Sequence, residues 1–150
     1  MKLFPNKKEK SYSIIVGCGR LGANLAGALY DKGVNVLIID NNKESFRKLS
    51  PSFGGISLLG DATDFFVLNE SDIKNATAVV AVTNNDNTNI LVAQIAKELF
   101  HIPHVIARLY DPERECVYHE LGIDTICPAV LSAKEVDRIL NMGEATEEAI

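Results

Sequence analysis

The sequence lacks three features that mark secreted, membrane-spanning or nucleic-acid-binding proteins. No uninterrupted apolar run approaches the roughly 20 residues needed to span a bilayer. Basic residues are not in excess: 15 Lys and Arg stand against 20 Asp and Glu, which argues against nucleic acid or an anionic membrane as the main partner. Cysteine is scarce, and the wide spacing of Cys18, Cys116 and Cys127 favours reduced thiols over a disulfide framework. We therefore expect a cytoplasmic protein.

Motifs of common catalytic centres are also missing. The sequence has no HExxH, paired CxxC or GxSxG element. His101 and His104 flank a proline at the amino end of an apolar run, and His119 lies in an amphipathic segment. We interpret all three as solvated or packing histidines, and we expect neither a catalytic residue nor a metal site.

The length of 150 residues and the 47% hydrophobic content predict one globular domain. The first ten residues carry four lysines but no apolar stretch typical of a secretory signal. We interpret residues 1–11 as a flexible basic tail, residues 12–141 as the domain, and residues 142–150 as a flexible acidic tail.

Six short, β-branched-rich runs alternate with longer amphipathic segments. The runs are Tyr12–Val16, Val34–Ile39, Ile56–Leu59, Thr77–Val82, His104–Leu109 and Thr125–Cys127. Their nearly continuous apolar character predicts strands covered on both faces, as in a parallel sheet. The segments expected to form helices are Leu21–Asp31, Glu44–Leu49, Asp64–Glu70 with Thr63 as N-cap, Thr88–Phe100, Pro112–Leu121 and Ala129–Asn141. The alternation predicts a Rossmann-like, doubly wound α/β fold with a parallel sheet of about six strands.

The last predicted helix follows a sheet that is already complete. Its apolar positions form one stripe, made of Val130, Ala133, Val136, Ile139 and Leu140. We expect this stripe to pack against another copy of the chain, as a dimerisation helix.

A glycine-rich loop follows the first predicted strand and opens the first predicted helix. Its sequence is Gly17-Cys18-Gly19-Arg20-Leu21-Gly22, the GxGxxG spacing of dinucleotide-binding turns. The first glycine allows the tight turn, the second lets a phosphate approach the backbone, and the third lets the helix lie close to the sheet. Backbone N–H groups and the helix dipole would then hold a pyrophosphate. The alternative is a loop whose glycines only shape a turn.

Asp40 ends the second predicted strand, where a carboxylate accepts hydrogen bonds from an adenosine ribose. It would repel a 2′-phosphate, and the residues that follow are Asn41 and Asn42 rather than arginine, so NADP is disfavoured. NAD, ATP, ADP and AMP present the same ribose diol and are not distinguished by this residue. Asp40 could instead act as the N-cap of the next helix.

Further polar residues follow the strands at the edge where open α/β sheets bind ligands. Arg20 could reach phosphate oxygens or remain solvated, and Asp61 could accept the adenine amino group. Thr83, Asn84 and Asn85 could line the distal half of a ligand, although Asp, Asn and Thr are equally suited to capping helices. Arg108 could bind a phosphate or carboxylate, or pair with Asp111 or with a neighbouring subunit.

Several motifs occur together and in order, and they resemble the RCK family, also called KTN, the cytoplasmic regulators of potassium conductance of the Trk/Ktr type. They are IIVGCGRLGANLA (Ile14–Ala26), the strand-ending Asp40, GDATD (Gly60–Asp64), AVTNNDNTN (Ala81–Asn89), ARLYDPE (Ala107–Glu113) and GID…ICP (Gly122–Pro128). The resemblance covers nearly all of residues 12–141.

This resemblance implies a regulatory, non-enzymatic subunit that binds NAD(H) or an adenine nucleotide and gates potassium uptake. Phosphates would meet the glycine loop and Arg20, ribose would meet Asp40, adenine would meet Asp61 and Ala62, and the distal part would meet Thr83 and its neighbours. It also implies a homodimer that assembles into a ring beneath a membrane potassium transporter or channel, peripheral to the inner face of the membrane. Many members continue into a second ligand-binding lobe. A longer chain or a separate polypeptide could supply it here, or the protein could work without it.

The expected mechanism is a change in the angle between two subunits that depends on which nucleotide is bound. A ligand shifts such an equilibrium only through different affinities for the two arrangements. An oxidoreductase subunit whose catalytic domain lies on another chain is the alternative. A nucleotide-responsive transcription factor is disfavoured because the sequence has no basic helix-turn-helix.

Overall fold

The computed structural model describes residue 3 and residues 11–148. Most of the predicted basic tail, and residues 149–150 of the predicted acidic tail, lie outside the described residues. The six apolar runs form six strands: β1 Tyr12–Val16, β2 Asn35–Asp40, β3 Ile56–Leu59, β4 Ala78–Ala81, β5 His104–Arg108 and β6 Asp124–Ile126. All neighbouring strands pair in parallel, in the order β3-β2-β1-β4-β5-β6. The prediction of a doubly wound, Rossmann-like sheet is therefore confirmed.

The helices are α1 Arg20–Asp31, α2 Phe65–Glu70, α3 Asp86–Gln94, α4 Glu115–Glu120 and α5 Pro128–Glu148. Shorter 3₁₀ helices cover Lys43–Lys48, Ile73–Asn75 and Pro112–Arg114, and a π-helical turn, Ile95–Leu99, continues α3. Thr63 is not the N-cap of α2. Asp64 takes that position and accepts a hydrogen bond from the N–H of Phe66 at 2.9 Å, while Thr63 donates to Asp61 instead.

The central strands of the sheet are buried on both faces. Along β1, Ile14 and Ile15 point to opposite sides, and both are fully buried. Val36 and Leu37 divide in the same way along β2. This double burial explains why β1 and β2 are continuous apolar runs, whereas the edge strands β3 and β6 are partly exposed.

The last helix is longer than expected. It was predicted over Ala129–Asn141, but it begins at Pro128 and continues to Glu148, so residues 142–148 extend α5. Gly143 lies inside a run of good helix formers, and one interior glycine costs only about 1 kcal/mol. Every residue from 131 to 142 is exposed, including Leu131, Val136 and Leu140. Within the described part of the chain, no helix combines the length and the hydropathy needed to cross a membrane.

Candidate functional site

A cleft of about 440 Å³ opens at the carboxyl ends of β1, β2, β3 and β4, where the strand order reverses between β1 and β4. Most of the residues predicted for the site line it: Gly17, Cys18, Gly19, Asp40, Asn41, Asp61, Ala62, Thr83, Asn84 and Asn85. Polar residues that the sequence analysis missed also line it: Asn42, Ser45, Lys48 and Thr88. Arg20, Leu21, Gly22 and Arg108 were predicted for the site but do not line the cleft.

The three glycines of the loop differ in whether packing within the protein requires a residue without a side chain. Gly17 has a φ of +106°, and a Cβ there would lie 2.9 Å from the backbone nitrogen of Thr83. A Cβ on Gly22 would lie 1.8 Å from the carbonyl oxygen of Gly17, so this glycine is needed for close contact between α1 and the loop. A Cβ on Gly19 would meet no protein atom within 4 Å. Packing thus explains Gly17 and Gly22 but not Gly19.

The amino end of α1 has no side-chain cap. Gly19 is its N-cap residue, and its first turn contains no acidic residue. Elsewhere in the described chain, side chains of Asn42, Asp64, Asn85 and Asp111 accept hydrogen bonds at the starts of helices. The first N–H groups of a helix have no intrahelical acceptor. The start of α1 therefore offers donors and a positive dipole end to an anion at the cleft.

Asp40 connects the end of β2 to the glycine loop. One carboxylate oxygen accepts the N–H of Cys18 at 2.8 Å, and the other accepts the N–H of Asn42 at 2.8 Å. Asn42 caps the following 3₁₀ helix through its own side chain, so the cap is not Asp40. Each carboxylate oxygen has a second lone pair that can accept from a hydroxyl group. Asp40 is thus held in place by the chain and keeps acceptor capacity for a ligand.

Asp61 and Ala62 lie beside Asp40 at the end of β3. Both the N–H and the hydroxyl of Thr63 donate to one oxygen of Asp61, at 2.9 and 2.7 Å. The hydroxyl bond is the larger cause of a lowered pKa at Asp61, so this carboxylate stays ionised at neutral pH. Ala62 is buried and lines the same cleft.

A buried asparagine that the sequence analysis missed holds the loop after β4. Asn89 is fully buried, and its amide oxygen accepts the N–H and the hydroxyl of Thr83 at 2.8 and 2.6 Å. Its amide nitrogen donates to the carbonyls of Thr83 at 3.1 Å and Arg108 at 2.8 Å. All four hydrogen-bonding sites of this side chain are used. The signal in the sequence is an asparagine at a position of α3 that faces the core.

Arg108 also holds the loop after β4, through hydrogen bonds to its backbone. Its guanidinium donates to the carbonyls of Val82 and Thr83 at 2.9 and 3.1 Å and lies 5.1 Å from the centre of the Tyr110 ring. The predicted partner Asp111 pairs with Arg114 instead, at 3.5 Å. Because the guanidinium is engaged by the end of β4, Arg108 fixes the position of Thr83 and does not enter the cleft.

The thiol of Cys18 is buried beneath the loop and donates to the carbonyl of Ser45 at 3.3 Å. Burial raises the pKa of this thiol, and the negative charge of Asp40 raises it further, while the ammonium of Lys48 lowers it. A thiol with a raised pKa is a poor nucleophile at neutral pH. The geometry therefore gives Cys18 a packing role.

None of the three histidines lines the cleft. His119 lies on α4, with its Nε2 atom 3.3 Å from the hydroxyl of Thr125 and 3.8 Å from Glu115. Residue 3 and residues 11–148 contain no group of three or more His, Cys, Asp or Glu side chains placed to hold a metal ion.

The chain is similar to proteins of potassium transport. The model of the TrkA-N domain family matches residues 13–128. The Trk system potassium uptake protein TrkA of Streptomyces coelicolor is 43% identical over 127 residues, which are 85% of this chain and 57% of that protein. The TrkA homolog of Pyrococcus abyssi is 40% identical over 110 residues, which are 73% of this chain and 48% of that protein.

Two solved structures have the same fold. The GsuK channel bound to NAD matches with a TM-score of 0.75 and 27% identity, covering 91% of this chain and 24% of that one. GsuK bound to ADP matches with a TM-score of 0.74 and 25% identity, covering 93% and 36%. The chain spans about half the length of the curated relatives it matches. A family model that covers residues 13–128, together with relatives at 40% identity or above, shows that the chain belongs to the TrkA-N domain family.

Proposed function

We propose that the cleft binds NAD(H) or an adenine nucleotide (ATP, ADP or AMP) as a conformational signal in a potassium uptake system or channel. The observation that carries this proposal is Gly19. The protein leaves open space where its Cβ would be, next to a helix start that no side chain caps. A phosphate that approaches the backbone closely accounts for both features.

The remaining contacts follow from the positions of the strand ends. The diphosphate lies against the glycine loop and the start of α1, and the adenosine ribose lies at Asp40. Adenine lies between the loops that follow β2 and β3, beside Asn41, Asp61 and Ala62. The distal part of the ligand lies over Thr83 and the two asparagines that follow it. The carboxylate of Asp40 disfavours NADP because it would meet the 2′-phosphate at short range.

A role as a signal is supported by the absence of a histidine or an activated thiol among the described residues that line the cleft. No histidine lines the cleft, and its one cysteine has a raised pKa. Its two carboxylates are engaged by backbone or hydroxyl donors. A hydride transfer would need a substrate pocket and an acid or base beside the nicotinamide.

The names of the relatives support a regulatory role. TrkA of Streptomyces coelicolor is named a Trk system potassium uptake protein, and GsuK is described as a channel in an NAD-bound form. We place this chain in the cytoplasm, at the inner face of the membrane, as a homodimer that assembles into a ring on a potassium transporter or channel. The exposed apolar side chains of α5 supply the surface for the second copy.

Thermal unfolding with NAD, NADH, NADP, ATP, ADP and AMP tests this function. A ligand at 100 times its Kd stabilises the native state by about 2.7 kcal/mol, which raises the Tm of a domain of this size by several degrees. We expect such shifts with one or more of the NAD(H) and adenine nucleotides and a smaller one with NADP. Absence of any shift would refute the proposal, and steady turnover of NADH would favour an oxidoreductase subunit.

A further inference from the structure

The 3₁₀ helix Lys43–Lys48 presents one straight row of side chains to the cleft. A 3₁₀ helix has three residues per turn, so side chains three positions apart lie directly above one another. The capping residue Asn42, then Ser45 and Lys48, follow at this spacing, and all three line the cleft. Arg47 faces elsewhere and pairs with Glu44 at 3.0 Å.

This row is held against the glycine loop. The carbonyl of Ser45 accepts the thiol of Cys18 at 3.3 Å, and the N–H of Asn42 donates to Asp40 at 2.8 Å. Phe46 and Leu49 are partly buried and pack on the hydrophobic cluster of that face of the sheet. The base of the row is therefore fixed, while the side chain of Lys48 keeps its freedom at an exposed position.

Lys48 is the one basic side chain that lines the cleft in the described part of the chain, where it stands against Asp40 and Asp61. None of the ion pairs between described residues involves it. Its ammonium lowers the pKa of Cys18, whereas Asp40 raises it, so the positive charge acts on the glycine loop itself. A nucleotide diphosphate would add negative charge beside the two carboxylates. A positive side chain close to that charge would make binding more favourable.

We propose that Lys48 binds a phosphoryl group of the nucleotide, with the side chains of Asn42 and Ser45 as neutral hydrogen-bonding partners beside it. This inference rests on the proposed nucleotide-binding function. The phosphoryl group belongs to the 5′-phosphate chain, because the carboxylate of Asp40 disfavours a 2′-phosphate. Arg20, which the sequence analysis assigned to phosphate, is exposed and does not line the cleft, and its contact with phosphate stays a prediction.

The test is calorimetric titration of ADP, NAD, NADP and adenosine into the wild-type protein and into K48Q, K48R and R47Q. We expect K48Q to weaken ADP and NAD by roughly five- to tenfold, the range of a partly exposed charge pair with phosphate, while adenosine changes less than twofold. K48R should retain most of the affinity, and R47Q should match the wild type. Raising the salt concentration should shrink the difference between K48Q and the wild type.

The other outcomes separate this inference from the proposed function. A loss confined to NADP would overturn the inference, because it would place Lys48 beside the 2′-phosphate and away from the 5′-phosphate chain. Unchanged affinity of K48Q for every phosphorylated ligand, or an equal loss for adenosine, would overturn the role of Lys48 and leave nucleotide binding intact. Failure of the wild type to bind any of these nucleotides would overturn both proposals.

Discussion

The most decisive perturbation is Gly19→Ala, because the structure predicts a large loss of binding with little change in stability. A Cβ at this position meets no protein atom within 4 Å, and the φ of −85° suits alanine. Replacing glycine at a compatible position stabilises a protein by about 0.4–1 kcal/mol through the unfolded chain, but alanine is a poorer N-cap than glycine, and that cost is of similar size. For a domain of this size we expect the Tm to stay within about 3 °C of the wild type.

Binding should change much more. The added methyl group occupies the space where a phosphate would approach the loop, and overpacking of this kind costs about 2 kcal/mol. That free energy corresponds to a roughly 30-fold loss of affinity for ADP or NAD, measured by calorimetric titration. A variant that is nearly as stable as the wild type but binds poorly cannot be explained by damage to the fold.

Two glycines of the same helix serve as matched controls. A Cβ on Gly27 also meets no atom within 4 Å, but Gly27 does not line the cleft. Gly27→Ala should therefore gain up to about 1 kcal/mol in stability and bind normally. Gly22→Ala should lose about 3 kcal/mol, because its Cβ would lie 1.8 Å from a carbonyl oxygen. If Gly19→Ala binds ADP and NAD within threefold of the wild type, the reasoning about the phosphate site is wrong.

Three further predictions follow from contacts at the cleft. Asp40→Asn removes the charge and turns an amide N–H₂ group toward a backbone donor. In calorimetric titration, NAD and ADP should bind about tenfold more weakly, while the affinity for NADP should fall less. An equal loss of affinity for NADP would contradict the proposed exclusion of the 2′-phosphate. Asn89→Ala leaves the N–H of Thr83 and the carbonyl of Arg108 without their partner. The free energy of unfolding, measured with urea, should therefore fall by about 2–4 kcal/mol. A change below about 0.5 kcal/mol would refute the role of Asn89 in holding the loop after β4. In a variant with the other two cysteines replaced by serine, Cys18 should react with a disulfide reagent only at higher pH than a free cysteine peptide. The reason is that its raised pKa reduces the fraction of thiolate at each pH. Rapid reaction at pH 7 would show that the thiol is neither buried nor influenced by Asp40.

The sheet could be predicted because each strand can be recognised from its own residues. Strand β2, for example, contains the uninterrupted apolar run Val36–Ile39 and ends at the polar residue Asp40, so its burial and its carboxyl end can both be read from the sequence. Helix ends were harder to predict. Asp61, Thr63 and Asp64 are all good capping residues, and competition among their hydrogen bonds decides which one caps α2. The end of α5 was placed too early because the acidic composition after Asn141 suggested a tail, although these residues favour helix.

At the cleft, sequence reasoning identified residues whose place depends only on following a strand. Gly17, Asp40, Asp61 and Thr83 each come directly after or at the end of a strand, so parallel topology alone brings them together. Lys48 was missed because the direction of its side chain depends on whether the helix is 3₁₀ or α. The two helix types differ by about 20° in the rotation between successive residues. Tertiary hydrogen bonds decide the roles of Asn89 and Arg108. The sequence shows only that each is a polar residue among apolar ones and does not show its partners.

Helix α5 has a mechanical consequence for any protein joined to it. Its 21 residues rise about 1.5 Å each, which gives a rod roughly 30 Å long that starts directly behind the short strand β6. At that length, a tilt of about 5° at Pro128 would displace the far end sideways by nearly 3 Å. A small rotation of the sheet edge would therefore be enlarged along the rod into a larger sideways displacement at its far end.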